Sequence, residues 1–224
     1  MPEPSTLLVR RAAERFHTVG DGVETWHSFS YGVHYDPEQI AFGPVMAINT
    51  EHVAPGRGYD LHTHADVEIV TWVLHGVLRH EDSTGHSGEI RPGTAQRLSA
   101  GTGVQHSERN ASDVEPLVFV QMMLRSDHDG PPAYAQQGVA PIPGRLTPTV
   151  EVHARAELLA VSLEAGQSVT VPAAPRSLVV VTGGTIHCGD TDLAPGDEAR
   201  LTAAGEYDLR ASSAATALIW QLQR

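Results

Sequence analysis

Gly56-Arg57-Gly58-Tyr59-Asp60-Leu61-His62-Thr63-His64, then Ala65-Asp66, then Val67-Glu68-Ile69-Val70-Thr71-Trp72-Val73-Leu74-His75-Gly76, reads as two strands joined by a short turn. Glu68 to Leu74 is apolar, β-branched and carries a tryptophan, the make-up of a buried strand. The arm before it is entered through two glycines and holds His62 and His64 at i and i+2. Residues two apart on a strand project from one face, so both imidazoles can reach one point.

The same texture continues outward. Val45 to Ile48 is a short apolar run, Val77 to His80 follows His75-Gly76, and Ser83-Thr84-Gly85 and Pro92-Gly93 turn the chain. Leu117 to Leu124 is an apolar strand. Arg10 to Phe16 and, more weakly, Glu157 to Ala160 are the helix-like starts. From Ser126 to Pro148, aspartate, glycine and proline break every period, which predicts a linker packed on the surface. Strands then resume over Leu158–Leu163, Ser168–Val171, Leu178–Val181, Thr185–Cys188, Ala199–Leu201 and Ala217–Leu222. Each half carries a Pro-Gly turn, Pro92-Gly93 and Pro195-Gly196. The expectation is an all-β chain of two tandem jelly-roll β-barrel domains, over residues 1–135 and 149–224, with a linker at 136–148.

Composition narrows the function. The 224 residues carry a formal charge of −12, and all fifteen basic residues are arginine with no basic block. A nucleic-acid binder needs a cationic footprint, so direct phosphate contact is not expected. Cys188 is the sole cysteine, which excludes an intrachain disulfide and favours a reducing compartment. The N-terminus has no apolar core of a signal peptide, and no stretch approaches the ~18 apolar residues of a membrane span. A cytoplasmic location follows as the expectation.

Thirteen histidines are many for this length. His106 and Glu108, in Val104-Gln105-His106-Ser107-Glu108, repeat the i, i+2 geometry about forty residues after the first pair. Together the two pairs supply three nitrogens and one carboxylate. In the second half His153 and His187 stand without such a pair, so one metal per chain is expected, in the first domain.

Gly56-x5-His62-x-His64-x3-Glu68 with Gly76 resembles the first cupin motif, and Gly103-x2-His106-x3-Asn110 resembles the end of the second. His27-Ser28-Phe29-Ser30-Tyr31-Gly32, Tyr35-Asp36-Pro37, Phe42-Gly43-Pro44, Glu68-Ile69-Val70-Thr71, Ser99-Ala100-Gly101-Thr102-Gly103 and His106-Ser107-Glu108 resemble the pirin family more specifically. The likeness is dense over residues 10–135 and thin beyond. It implies a bicupin, and some members of the family are quercetin 2,3-dioxygenases. It also implies that His62, His64, His106 and Glu108 are the metal ligands. The spacing places Ile69 where cupins usually have a ligand carboxylate, so Glu68, one residue off, is expected to bond or brace rather than to ligate. Thr63 and Ala65 depart from the family's usual proline and arginine, which bears on substrate identity.

The mixed nitrogen and oxygen set suits one divalent transition ion, iron first, with Ni, Co, Mn, Cu or Zn also compatible. The resemblance implies a flavonol-like aromatic and O2 as substrates, with Glu108 as the general base. A largely apolar barrel lumen is expected around them. The alternative is a non-enzymatic, redox-responsive metal protein that binds a protein partner. His27 is expected to play a structural part, and solvated positions account for His75, His80 and His86. Cys188 reads as a small buried residue.

Overall fold

Among the described residues, 5–223, this computed structural model contains twenty-one strands and one 3-10 turn, Ala12–Glu14. In chain order, β1 is Thr6–Arg10, β2 Phe16–Gly20, β3 Val23–His27 and β4 Val45–Val53. Then come β5 (Gly58–His64), β6 (Val67–His75), β7 (Leu78–Asp82) and β8 (Ser87–Ile90). β9 (Thr94–Ser99), β10 (Val104–Asn110), β11 (Leu117–Arg125), β12 (Ala133–Gly138) and β13 (Arg145–Pro148) follow. The remaining strands are β14 (Ala156–Leu163), β15 (Ser168–Val171), β16 (Ala174–Gly183) and β17 (Ile186–Cys188), then β18 (Thr191–Leu193), β19 (Glu198–Ala204), β20 (Tyr207–Ala211) and β21 (Ala215–Leu222).

The strands build two compact units, each a pair of antiparallel sheets, and the expected two-barrel all-β architecture holds. The first unit is Phe16–Gly138 with a short return at Val152–Ala154. Its sheets run β12-β9-β6-β11-β4-β3-β2 and β5-β10-β7-β8. The second unit takes Val139–Glu151, the chain from Arg155 onward, and the N-terminal strand. Its sheets run β1-β19-β16-β21-β14-β13 and β15-β20-β17-β18.

These units differ from the boundaries expected at 135/136 and 148/149. β1 lies antiparallel on β19, with Leu7 opposite Leu201, so the N-terminus belongs to the second barrel. The segment expected to be a linker contains β12, paired with β9, and β13, paired with β14. Both are edge strands, where proline is tolerated because one row of backbone groups has no sheet partner to lose. Arg10–Phe16 yields only the 3-10 turn, and Glu157–Ala160 is strand β14 rather than helix. There Leu158 to Val161 is buried, and cross-strand packing overrides local helix preference.

The first lumen is layered. Val53, Val73, Leu78, Ile90, Leu117 and Phe119 form an apolar cluster at one level. Ala47, Ile69, Leu98, Ala100, Val104 and Met123 form another. Because alternate residues share a strand face, the positions between them lie at an intermediate level. These are Asn49 and Glu51 on β4, Thr71 on β6, Gln96 on β9 and Gln121 on β11, with His80, His106 and Glu108 opposite. All are buried. A polar layer therefore crosses the barrel, and the expectation of a largely apolar lumen is corrected. In the second barrel the lumen is apolar from Leu159 to Ile219, with Ser177 and Tyr207 joined by a 2.6 Å hydroxyl hydrogen bond.

Candidate metal centre

β5 and β10 are neighbours in one sheet, with His62 opposite His106 and His64 opposite Val104. The register then slips: Glu108 faces Tyr59, so two residues of β10 span three of β5. The extra residue is a β-bulge at Asp60-Leu61. Without it, Tyr59 and His62 would point to opposite faces. With it, Tyr59, His62 and His64 all turn inward while Asp60 and Leu61 are exposed. The bulge also supplies a partner, since the His62 Nδ1–H donates to the Asp60 carbonyl at 2.8 Å. That bond leaves the Nε2 lone pair free to face the lumen.

Gly58 permits the close pairing. Its φ is +149°, and a Cβ there would stand 2.2 Å from the Glu108 carbonyl oxygen.

His62, His64 and His106 each bring a ring nitrogen within 4.8 Å of the others. His64 Nε2 and both ring nitrogens of His106 are buried without a hydrogen-bond partner. Burying polar atoms unpaired is costly, so these atoms fit a ligand that accepts nitrogen lone pairs. Burial, then repulsion from His62, lowers the His64 pKa to about 4. Burial, with His62, His64 and His80 adding, lowers that of His106 to about 3. Both rings are neutral at pH 7, the form a metal requires. A divalent transition ion therefore fits the donor set.

Glu108 stands differently. Its carboxylate groups with His106 and with His80, not with His62 and His64. Gln121 donates to it at 2.6 Å and the Thr71 hydroxyl approaches at 3.5 Å. Burial raises its pKa to about 7, with nearby Glu51 pushing the same way and the Gln121 bond opposing. Glu51 is itself buried, accepting from Thr25 at 2.5 Å and from Tyr59 at 2.7 Å.

His80 is not a solvated hairpin residue. It is fully buried, its ring 5.4 Å from that of His106, and it bonds Asp82 at 3.1 Å. Leu78-Arg79-His80-Glu81-Asp82 holds a third i, i+2 pair, which is the signal that could have found it. His27 is buried and bonds Asn49 and Thr18, both at 3.0 Å. Glu68 lies on the other face of β6 from Thr71, fully buried, bonded by Ser99, Ser126 and the His153 amide. His187 pairs with Asp192 on the flank of β17, between the lumen residues Ile186 and Cys188.

The sequence profile of the Pirin family matches residues 9–124, and that of the quercetinase C-terminal cupin domain matches residues 143–222. A Mycobacterium tuberculosis protein with a provisional quercetin 2,3-dioxygenase name is 40% identical over 97% of this chain and 96% of its own. The Escherichia coli K12 quercetin 2,3-dioxygenase is 36% identical over 62% of this chain and 61% of its own. Among solved structures, the bacterial pirin YhhW of Escherichia coli in complex with nickel(II) superposes with a TM-score of 0.92. It is 27% identical and the match covers 97% of this chain and 99% of that one.

Proposed function

The chain belongs to the pirin family, and from that premise we propose that it is a metal-dependent dioxygenase that cleaves a flavonol or a related hydroxylated aromatic with O2. One observation carries the reading: three histidines meet at one point with three buried ring nitrogens left unpaired. In this reading His62, His64, His106 and Glu108 hold one divalent transition ion, with iron first and Ni, Co, Mn, Cu or Zn compatible. When bound, the ion supplies Lewis-acid polarisation of an oxygen donor and a meeting point for the aromatic and O2.

The chain's own groups do the rest. Glu108 takes up the proton of the ligand's hydroxyl, its carboxylate oriented by Gln121 and shielded from water. The polar layer suits a ligand with several hydroxyls better than a bare hydrocarbon. Thr71 and Gln121 hold the base in place on one wall, and Glu51 fixes the Tyr59 ring beside His62.

The test is turnover. Protein loaded in turn with Fe, Ni, Co, Mn and Cu is mixed with quercetin in air, and flavonol absorbance and O2 are followed together. Parallel loss of both supports the reading, and unchanged absorbance with every metal defeats it for this substrate class.

A second reading, a metal-binding regulator that docks on a protein partner, draws on the loop between β3 and β4. Val33 is 92% and Tyr35 76% exposed there, beside the half-exposed Tyr31 and Ile40. A cytoplasmic setting belongs to both readings and rests on the lone, buried Cys188. No helix of the described residues is long and apolar enough to cross a membrane.

A further inference from the structure

We propose that the first barrel has a second, inner position for a divalent transition ion, built from His80, His106 and Glu108 and sharing His106 and Glu108 with the outer set that His62 and His64 complete. The inference rests on the reading that this barrel binds an ion, and is independent of any oxygenase chemistry. One nitrogen each from His80 and His106 and one carboxylate oxygen of Glu108 lie within 4.8 Å of one another. The outer histidines form their own group at the same spacing, and the two groups overlap only at His106.

His106 is the hinge of the two positions. Its side chain is fully buried and neither ring nitrogen has a hydrogen-bond partner. The two nitrogens lie on different edges of the ring, so a single ion position can satisfy only one of them. A neutral imidazole carries one lone pair, on either edge by tautomer, so His106 can serve either position, one at a time.

His80 has the surroundings of an oriented ligand. The Nε2–H donates to the Asp82 carboxylate at 3.1 Å, which leaves the lone pair on Nδ1. Nδ1 itself meets only a long 3.4 Å approach from the Gln96 amide nitrogen. A carboxylate behind an imidazole is how proteins orient and strengthen metal-binding histidines. Asp82 is itself pinned by the Thr84 amide at 2.8 Å and hydroxyl at 2.6 Å, so His80 is held from behind. Gln96 adds a buried carbonyl oxygen without a donor beside the same ring, suited to a water carried on an ion.

Two nitrogens and one carboxylate oxygen suit Co(II), Ni(II), Fe(II) or Zn(II). Two dications sharing one imidazole repel strongly, so the stoichiometry stays at one per chain and the ion partitions between positions. His62 and His64 are partly exposed whereas all three inner ligands are buried. The inner ion should therefore exchange more slowly.

The test titrates the full-length chain with Co(II), following d–d absorption and metal per chain. The His62→Ala/His64→Ala double variant, folded by far-UV circular dichroism, should still bind one Co(II), more weakly and with a changed spectrum. Adding Asp82→Asn should weaken that binding ~10–100-fold, and adding His80→Gln should weaken it at least as much. In the unmutated background, EDTA should extract Co(II) in two phases, and His80→Gln alone should abolish the slow one. A folded double variant that binds no Co(II), binding indifferent to His80→Gln, or an extraction unchanged by His80→Gln would each overturn the inner position. Wild-type protein that binds no Co(II) at all would instead defeat the metal reading of the barrel.

Discussion

Replacing Glu68 with alanine should unfold the first barrel more readily without touching its metal. The carboxylate is fully buried and accepts from the Ser126 hydroxyl at 2.6 Å, the Ser99 hydroxyl at 2.7 Å and the His153 amide at 3.1 Å. The last of these ties the return segment Val152–Ala154 to the barrel, and Asp127 N–H donates to the His153 carbonyl at 2.7 Å beside it. Alanine leaves three donors facing a gap. A hydrogen bond to a charged acceptor contributes about 1.5–3 kcal/mol, and an unpaired buried donor costs about 1–3 kcal/mol. The two hydroxyls can rotate, and water can enter, so the net loss should be about 3–5 kcal/mol, well short of the sum of the three bonds. At about 2–4 °C per kcal/mol for a chain of this size, Tm should fall by about 6–20 °C. Ser99→Ala and Ser126→Ala should each cost roughly 1–2 kcal/mol. Thermal unfolding by circular dichroism, paired with metal analysis of the folded protein, reads both halves of the claim. A Tm loss under about 3 °C would show that the carboxylate braces nothing. Loss of metal from folded protein would place Glu68 in the wrong role.

Glu108→Gln should lower flavonol turnover by about 10²-fold or more while metal content falls far less, because the amide keeps the size but cannot take a proton; activity that tracks metal content would make Glu108 only a ligand. Gly58→Ala should strain β5 by about 1–3 kcal/mol and weaken metal binding, since its Cβ meets the Glu108 carbonyl at 2.2 Å; an unchanged Tm would refute the close approach. The metal-free protein should lose stability on acidification. His64 and His106 have depressed folded pKa values, about 4 and about 3, against ~6.5 in the unfolded chain. Between those limits the unfolded state binds more protons at these two rings, so the stabilisation they give above pH 6.5 drains away as pH falls, opposed in part by Glu108, whose folded pKa is raised to about 7. Chelator-treated protein should melt lower at pH 5 than at pH 7, and His106→Asn should narrow the gap; equal Tm values would contradict the burial of these rings.

The two ligand pairs were legible because i, i+2 spacing survives any detail of the strand. What lay between them was not. The bulge at Asp60-Leu61 has no local mark, yet it turns His62 and Tyr59 to the same side. His80 is masked by its neighbours: Arg79 and Glu81 are exposed, and their charge gives the whole hairpin a solvated character in the sequence. Asn49 and Glu51 end the apolar run Val45–Ile48 in the sequence, although β4 continues to Val53 with both facing the lumen. Polar lumen residues look like loop residues when only hydropathy is followed. The strand β1 was invisible for another reason, since its partner β19 lies at the far end of the chain and pairing of that range leaves no periodic trace.

The contrast between the two lumens bears on why the first should depend on a bound ion. Cupin barrels with similar sheets can fill the interior with apolar side chains, as the second does from Leu159 to Ile219. The first gives up a full layer of that packing to Glu51, His80, Gln96, His106, Glu108 and Gln121. Most of these groups are bonded to one another, but His106 and the Gln96 carbonyl are not. A half-satisfied buried network is worse for stability than an apolar core. An ion bound only by the folded state adds about 2.7 kcal/mol at a hundred times its Kd. On the proposed reading, then, metal binding repairs the one level of the barrel that cannot be stabilised by packing, and thermal stabilisation by added metal should be confined to the transition that reports the first unit.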